Sequence, residues 1–337
     1  VTGVRITGLG RALPERVVSN REVAERLGVE ENWILSRTGI SERRYTSPTE
    51  TISTLGTEAA LEALAHADVS AGDLDLIITA TCTPDHLFPS TACLIQSAIG
   101  ANKAGAFDLN AACSGFIYGL SMAAASVTSG QAEKVLVVGG DVLSKFVDPD
   151  DPVTCPLFGD GAGAAIVEAA DAGEIRFELG ADGSGSQHVI MPAGGSRIPS
   201  SKESIDGGLH FIHMAGREVF RSAVRAMTSL GKSLGRDGFD LVIAHQANLR
   251  ILTETADELG IDRDRLFINI DHVANTSAGS IPIAMYEAWH QGRLQPGTRL
   301  LLLAFGAGFT WAGASFDWTL AHPDLTEVAE DLAGVSR

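Results

Sequence analysis

Ala106-Phe-Asp-Leu-Asn-Ala-Ala-Cys-Ser-Gly115 has a counterpart far along the chain, Phe267-Ile-Asn-Ile-Asp-His-Val-Ala-Asn-Thr-Ser277. Around each, the same elements recur in the same order. Asp73-Leu-Asp-Leu-Ile-Ile-Thr-Ala-Thr-Cys-Thr-Pro-Asp85 matches Gly238-Phe-Asp-Leu-Val-Ile-Ala-His-Gln-Ala-Asn248 in pattern, and Lys134-Val-Leu-Val-Val-Gly-Gly-Asp141 matches Arg299-Leu-Leu-Leu-Leu-Ala-Phe-Gly306. Each half reads strand, polar loop, strand, polar loop, small-residue helix, strand, glycine turn. An internal duplication follows, with a boundary near residue 170: a first half over 1–170 and a second over 171–337, of which 321–337 is expected to fray. It places the loop at Cys113 and the loop at Asn275 at equivalent ends of two related sheets, where they can converge on one pocket.

Apolar runs of strand length lie at 75–80, 106–109, 134–139, 240–244 and 299–304, and helical periodicity at 51–67, 89–99, 117–127, 214–232, 249–259 and 280–291. Strands alternating with helices predict an α/β architecture. At 337 residues, 45% hydrophobic and 20% charged, the chain reads as a soluble globular protein with ample core. No apolar run approaches the roughly 18 residues of a membrane span, and the first residues lack the basic-then-apolar layout of a signal peptide. A net charge of −17 argues against nucleic acid as the main partner. The four cysteines, 82, 93, 113 and 155, show neither a CxxC pair nor a framework spacing. Cys82, Cys93 and Cys155 are therefore expected to be buried free thiols in a reducing, cytoplasmic setting.

Cys113 stands apart because it lies at a strand-to-helix step. The positive end of the following helix dipole favours its thiolate, the nucleophilic form. His245-Gln-Ala-Asn-Leu-Arg250 and Asn275-Thr-Ser-Ala-Gly279 also end apolar runs. A cysteine, a histidine and an asparagine so placed suggest acyl chemistry through a thioester. Gly306-Ala-Gly308-Phe309 is read as the end of the last strand, where backbone can approach a ligand and serve an oxyanion. Gly159-Asp-Gly-Ala-Gly163 runs into a strand and is a tight turn rather than a phosphate loop. His210 and His213 lack further ligands in view, so no metal is expected. Arg217, Arg221 and Arg225 form an unopposed basic stripe on an amphipathic helix and invite an anionic partner.

These motifs, with Trp33-Ile-Leu-Ser-Arg-Thr-Gly-Ile40, Ala112-Cys-Ser-Gly-Phe116, Phe158-Gly-Asp-Gly-Ala-Gly163, Met214-Ala-Gly-Arg-Glu-Val-Phe220 and Phe305-Gly-Ala-Gly-Phe-Thr-Trp311, resemble β-ketoacyl-acyl-carrier-protein synthase III, a thiolase-superfamily condensing enzyme. The resemblance runs from about residue 3 to 319. It implies a five-layered α/β/α/β/α fold, a homodimer and no cofactor, the CoA thioester being a substrate. It implies that Cys113 is acylated by a short acyl-CoA, with acetyl-CoA as the expected donor, and that malonyl-acyl-carrier-protein then condenses with loss of CO2 to give 3-oxoacyl-acyl-carrier-protein. His245 and Asn275 would stabilise the enolate, and the N–H groups of Cys113 and Ala307 the oxyanion. Trp33, Arg37, Thr38, Gly216, Asn248 and Arg250 would bind CoA or line its channel. Phe88 would reach across the dimer to close the acyl pocket. Arg221 and Arg250 match positions linked to the carrier, and helical spacing adds Arg217 and Arg225.

Two departures from the family pattern leave room for a condensing enzyme or acyltransferase of a polyketide or other secondary pathway. The run Asp150-Asp-Pro-Val153 lacks a basic residue often found there, and Asp257 stands near an expected lysine. A cysteine hydrolase would share the order Cys, His, Asn, but it leaves the duplication unexplained.

Overall fold

The computed structural model describes residues 3–171, 173–236 and 238–322, so the tail from 323 onward lies outside the described residues. The first sheet contains β1 (Gly3–Ala12), β2 (Leu76–Ala80), β3 (Gly105–Leu109), β4 (Lys134–Val142) and β5 (Asp160–Ala170) in the order β1-β5-β4-β2-β3. The second contains β6 (Arg176–Ala181), β7 (Leu241–Ala244), β8 (Leu266–Phe267), β9 (Arg299–Gly306) and β10 (Thr310–Asp317) in the order β6-β10-β9-β7-β8. Adding five to each label converts one order into the other. The pairing sense also agrees: in each sheet the first two neighbour pairs are antiparallel and the last two parallel.

The main helices are α1 (Asn20–Leu27), α2 (Glu31–Thr38), α3 (Ile52–Ala67), α4 (Thr91–Ile99), α5 (Gly115–Thr128), α6 (Gly216–Leu234), α7 (Leu249–Leu259) and α8 (Ser280–His290). Strand alternation sorts them into layers. Leu136 and Val138 of β4 pack outward with α3 and α4. Val135 and Val137 turn inward to a core shared with α5, α8 and, from the second sheet, Leu300 and Leu302. Leu301 and Leu303 of β9 turn to the other outer layer, with Met227 and Leu230 of α6 and Leu252 of α7. The result is five layers: helices, sheet, the central pair α5 and α8, sheet, helices. Both faces of each sheet are covered, which is why β4 and β9 read as continuous apolar runs. In α8, Ser280 through Trp289 are all buried, as the central layer requires.

The tight turn expected at Gly159–Gly163 is corrected: Asp160 to Gly163 already belong to strand β5. Its glycines serve close packing rather than a tight loop. A Cβ on Gly163 of β5 would lie 2.7 Å from Pro282 Cβ of α8, and one on Gly161 would lie 3.0 Å from Ile283. Two other readings change. The segment at Gly306 precedes a further strand, β10, so it is a turn between strands. Cys155 is buried, but Cys93 is exposed and Cys82 only partly buried.

A polar network ties α8 to the first half. Glu287 is buried and receives Arg11, Asn269 Nδ2 at 2.9 Å and His272 Nε2 at 3.2 Å. Tyr286 donates its hydroxyl to Glu62 of α3 at 2.5 Å, and Glu62 also accepts the Arg11 N–H at 2.7 Å. The hydrogen bond to Glu287 is the main cause that raises His272 to about 9. Burial alone would raise Glu287, but His272, Asn269 and Arg11 together hold it below its ordinary value.

A histidine raised on folding contributes stability that is complete below its unfolded pKa, about 6.5, and is lost as pH rises through the folded value. The melting temperature of the wild type should therefore decline from pH 7 to 9.5 more steeply than that of His272→Gln. Parallel declines in the two proteins would show that this pair does not set the alkaline limb.

Candidate active site

Cys113 lies in a single 3-10 turn, Ala112–Ser114, between β3 and α5. Asn275 lies between β8 and α8, and His245 directly follows β7. One cavity of about 490 Å³ is lined by all three, together with Gly306, Ala307 and Gly308. The duplication thus delivers loops from both sheets to one apolar pocket.

Each loop is held by the opposite half. Thr310 Oγ1 donates to Ala111 O at 2.8 Å, and Ser114 Oγ donates to Thr310 O at 3.3 Å. Reciprocally, Asn275 N–H donates to Leu157 O and Gly159 N–H to Asn275 O, both at 3.0 Å. Asp141, fully buried at the end of β4, adds a third link. Its Oδ1 accepts from Thr81 Oγ1 at 2.8 Å, Cys82 N at 2.8 Å and Thr83 N at 3.0 Å, and its Oδ2 accepts from Ala278 N at 3.3 Å. Ala112, Ala274 and Ser277 have φ of 47°, 60° and 51°. Non-glycine residues in this region cost roughly 1–3 kcal/mol each, and here they flank Cys113 and Asn275.

The chemistry of the three side chains follows from their partners. Asn275 Oδ1 accepts the Ser277 N–H at 2.9 Å, which leaves the amide NH2 as its free donor. His245 is buried, and burial lowers it to about 3, so the ring is neutral at physiological pH. Ser277 Oγ donates to Cys113 Sγ at 3.4 Å. That bond favours the thiolate, but burial outweighs it and pushes the thiol up to about 11. Burial thus opposes the thiolate that the sequence placed at the helix terminus. A Cβ on Gly306 would lie 2.8 Å from Cys113 N, so the β9–β10 turn and the Cys113 backbone meet closely. Two buried donors and apposed backbone around a nucleophile suit stabilisation of an oxyanion or enolate.

The other expected residues divide. Gly216 and Asn248 line the cavity. Trp33 and Arg37 stack, with the guanidinium 4.6 Å from the indole centroid. Asn248 Nδ2 donates to Arg37 O at 3.0 Å, which brings this pair to the loop after His245. Thr38 is instead buried, its hydroxyl committed to Ile34 O at 2.8 Å, and it is not part of the cavity wall. Phe88 does not line the cavity of its own chain. It is 85% exposed, next to Leu87 at 81%. Arg221 and Arg225 line a groove of about 570 Å³ between α6 and α7, joined by Lys232. Glu254 and Glu258 line the same groove, so the stripe is not unopposed. Arg217 is not on that groove, whereas Arg250 lies 5.8 Å over the Phe220 ring, and Phe220 lines both groove and cavity.

Cys82, Ser277, Ser280 and Asp141 escaped the sequence reading as parts of the site. Cys82 and Ser277 line the cavity. The others act one layer behind it, and only the pattern of Ser and Thr around the two loops hinted at them.

The chain matches the family model for 3-oxoacyl-[acyl-carrier-protein] synthase III over residues 107–183 and that for its C-terminal part over 232–318. It is 46% identical over 322 residues to the β-ketoacyl-[acyl-carrier-protein] synthase III of Roseiflexus sp. (strain RS-1), covering 93% of this chain and 98% of that protein. The chain belongs to the β-ketoacyl-acyl-carrier-protein synthase III family. A protein of the same name from Clostridioides difficile (strain 630) is 43% identical, covering 95% of this chain and 99% of that protein. The crystal structure of the synthase III from Aquifex aeolicus VF5 superposes with a TM-score of 0.86 at 40% identity, over 94% of this chain and 100% of that one. The priming β-ketosynthase of the R1128 polyketide pathway gives 0.87 at 35% identity, over 95% and 97%. This chain is accordingly a condensing acyltransferase that initiates fatty-acid synthesis, with the thiolase-like fold expected from the resemblance.

If burial sets the Cys113 thiol, its alkylation by iodoacetamide in the free protein should keep rising, roughly tenfold per pH unit, from pH 7 to 10. Peptide mapping by mass spectrometry distinguishes it from the exposed Cys93. A plateau below pH 8 would mean that the α5 terminus, not burial, governs the thiol.

Proposed function

We propose that Cys113 takes a short acyl group from acyl-CoA and that malonyl-acyl-carrier-protein then condenses with it. The observation that carries this reading is the single apolar cavity containing Cys113, His245, Asn275 and Ala307. Cys113 attacks the thioester carbon, and CoA leaves as the thiol. The N–H groups of Cys113 and Ala307 hold the oxyanion. In the second half-reaction His245 and Asn275 donate to the malonyl thioester oxygen. CO2 departs, the resulting enolate attacks the acyl-cysteine carbonyl, and the Cys113 thiolate is expelled. The carbon–carbon bond formed is balanced by loss of CO2, so no redox partner or metal is required. Trp33 and Arg37 supply an aromatic face and a cation for the adenine and phosphates of CoA.

The assembly belongs to this reading too. Leu87 and Phe88 are large apolar residues left open to solvent in the single chain, as a homodimer with Phe88 closing the partner's acyl pocket would leave them. The boundary near residue 170 falls in the connection between β5 and β6, which supports a first half carrying Cys113 and a second carrying His245 and Asn275. Four free cysteines fit a reducing cytoplasm. A second reading, priming of a secondary pathway, rests on the run Asp150-Asp-Pro-Val153, which lacks the basic residue often found there. It rests also on Asp257, which stands near an expected lysine and is paired with Arg263 at 2.6 Å. Substituting other acceptors for malonyl-acyl-carrier-protein separates the two.

Acetyl-CoA should add one acetyl mass to the wild type and none to Cys113→Ala. In Asn275→Ala, acylation should survive while condensation falls about 10²–10³-fold, as on removal of an oxyanion donor. Equal losses in both steps would reject the division of labour.

The carrier is expected to dock beside Phe220, which lines both cavity and groove, with Arg221 on that groove and Arg250 over the Phe220 ring. Long-range attraction of an acidic carrier is not available to a protein of charge −17, and screening limits exposed charges to about 8 Å at physiological salt. Replacing both arginines by Glu should raise KM for malonyl-acyl-carrier-protein and flatten its salt dependence. Wild-type KM across a salt series would assign the groove to solvent instead.

A further inference from the structure

Ser280 is the first residue of α8, buried, and absent from the cavity wall. Its hydroxyl oxygen lies 3.0 Å from Nδ1 of His245 and accepts the N–H of Gln246 at 2.8 Å. Gln246 is itself clamped. Its Nε2 donates to Ala244 O at 2.8 Å and to Phe267 O at 3.2 Å, and its Oε1 accepts from Asn269 N at 3.1 Å. The backbone at His245 and Gln246 is thereby fixed against α8 and the end of β8.

The count of donors and acceptors then decides which ring nitrogen carries the proton. A serine hydroxyl has one hydrogen to give and can accept. Here it already accepts from Gln246. Were Nδ1 protonated, it too would donate to Ser280 Oγ, and the hydroxyl hydrogen would have no acceptor among the described residues. A buried donor without a partner is disfavoured. With Nδ1 unprotonated, every group is satisfied: Gln246 N–H donates to Ser280 Oγ, and Ser280 O–H donates to Nδ1. The ring's hydrogen is then on Nε2, the nitrogen left for the cavity that His245 lines.

We propose that Ser280 is a positioning residue whose hydroxyl, bonded to Nδ1, holds His245 in the Nε2–H form and makes it a hydrogen-bond donor to the thioester oxygen rather than a base. This rests on the reading of His245 as a donor in condensation. It carries a consequence for the first half-reaction. A ring with Nε2–H towards the cavity and Nδ1 engaged has no lone pair to offer Cys113, so His245 does not take the thiol proton. That proton leaves by another route, to solvent or to the departing CoA sulfur. The sequence placed Ser280 five residues beyond Asn275 in Asn275-Thr-Ser-Ala-Gly-Ser280, and α8 turns it under the histidine of a different loop.

The test is 15N NMR of protein selectively labelled at histidine, free and at neutral pH, with His245 assigned by His245→Ala. The expected wild-type spectrum shows His245 with a protonated Nε2 and a hydrogen-bond-accepting, unprotonated Nδ1. A proton on Nδ1 overturns the proposal, whatever the activity. In Ser280→Ala the Nδ1 resonance should move to that of a nitrogen without its donor. Condensation should fall by about 10–10²-fold, less than the 10²–10³-fold for loss of an oxyanion donor, because part of the population keeps the productive tautomer. Acylation of Cys113 should change by less than about twofold, and Ser280→Thr, which keeps the hydroxyl, should restore both resonance and condensation. Full condensation in Ser280→Ala would also overturn it. Failure of the wild type to condense malonyl-acyl-carrier-protein at all would instead refute the functional reading and leave the tautomer standing.

Discussion

Each half of this protein holds the other half's reactive loop. Thr310, at the start of β10, fixes the backbone before Cys113, and Leu157 and Gly159, just before β5, fix the backbone of Asn275. β5 and β10 occupy the same place in their sheets, so the two staples are related by the duplication. Ala112, Ala274 and Ser277, all with positive φ, lie in or beside these cross-bonded segments.

The central layer makes those staples possible. Gly161 and Gly163 let α8 lie directly on β5, and the network around Glu287 anchors the far end of the helix to β1 and α3. Its near end presents Ser280 to His245. One helix therefore transmits the packing of the core to the orientation of an imidazole. The pocket it helps to form is apolar and buried, and this has two opposite effects. It raises the Cys113 thiol and so opposes the free thiolate, but it keeps His245 neutral and strengthens every hydrogen bond made to a developing oxyanion. The site is better suited to stabilising charge on substrate oxygen than to storing charge on its own groups.

Much of this was legible in the sequence, for identifiable reasons. The buried strands β4 and β9 are unbroken apolar runs, and α7 falls where its periodicity placed it, at 249–259. Cys113, His245 and Asn275 were visible because each polar residue ends such a run. What stayed hidden depends on contacts between distant segments. Thr38 looked like a channel residue, but its hydroxyl caps its own helix. The arginine stripe on α6 looked unopposed because Glu254 and Glu258 lie on another helix. The raised thiol of Cys113 reflects burial that no local pattern encodes. Ser280 and Asp141 gain their roles only when α8 and β4 come together under the loops.

The central claim is that the two halves converge so that His245 and Asn275 address one substrate oxygen opposite Cys113. A crystal structure with Cys113 acetylated and a non-decarboxylating malonyl-pantetheine analogue bound tests it most directly. The account predicts the analogue's thioester oxygen within about 3.2 Å of both His245 Nε2 and Asn275 Nδ2, with the acetyl oxygen facing the N–H groups of Cys113 and Ala307. An analogue oxygen bound by neither side chain, or a His245 ring turned so that Nδ1 faces the cavity, would contradict it.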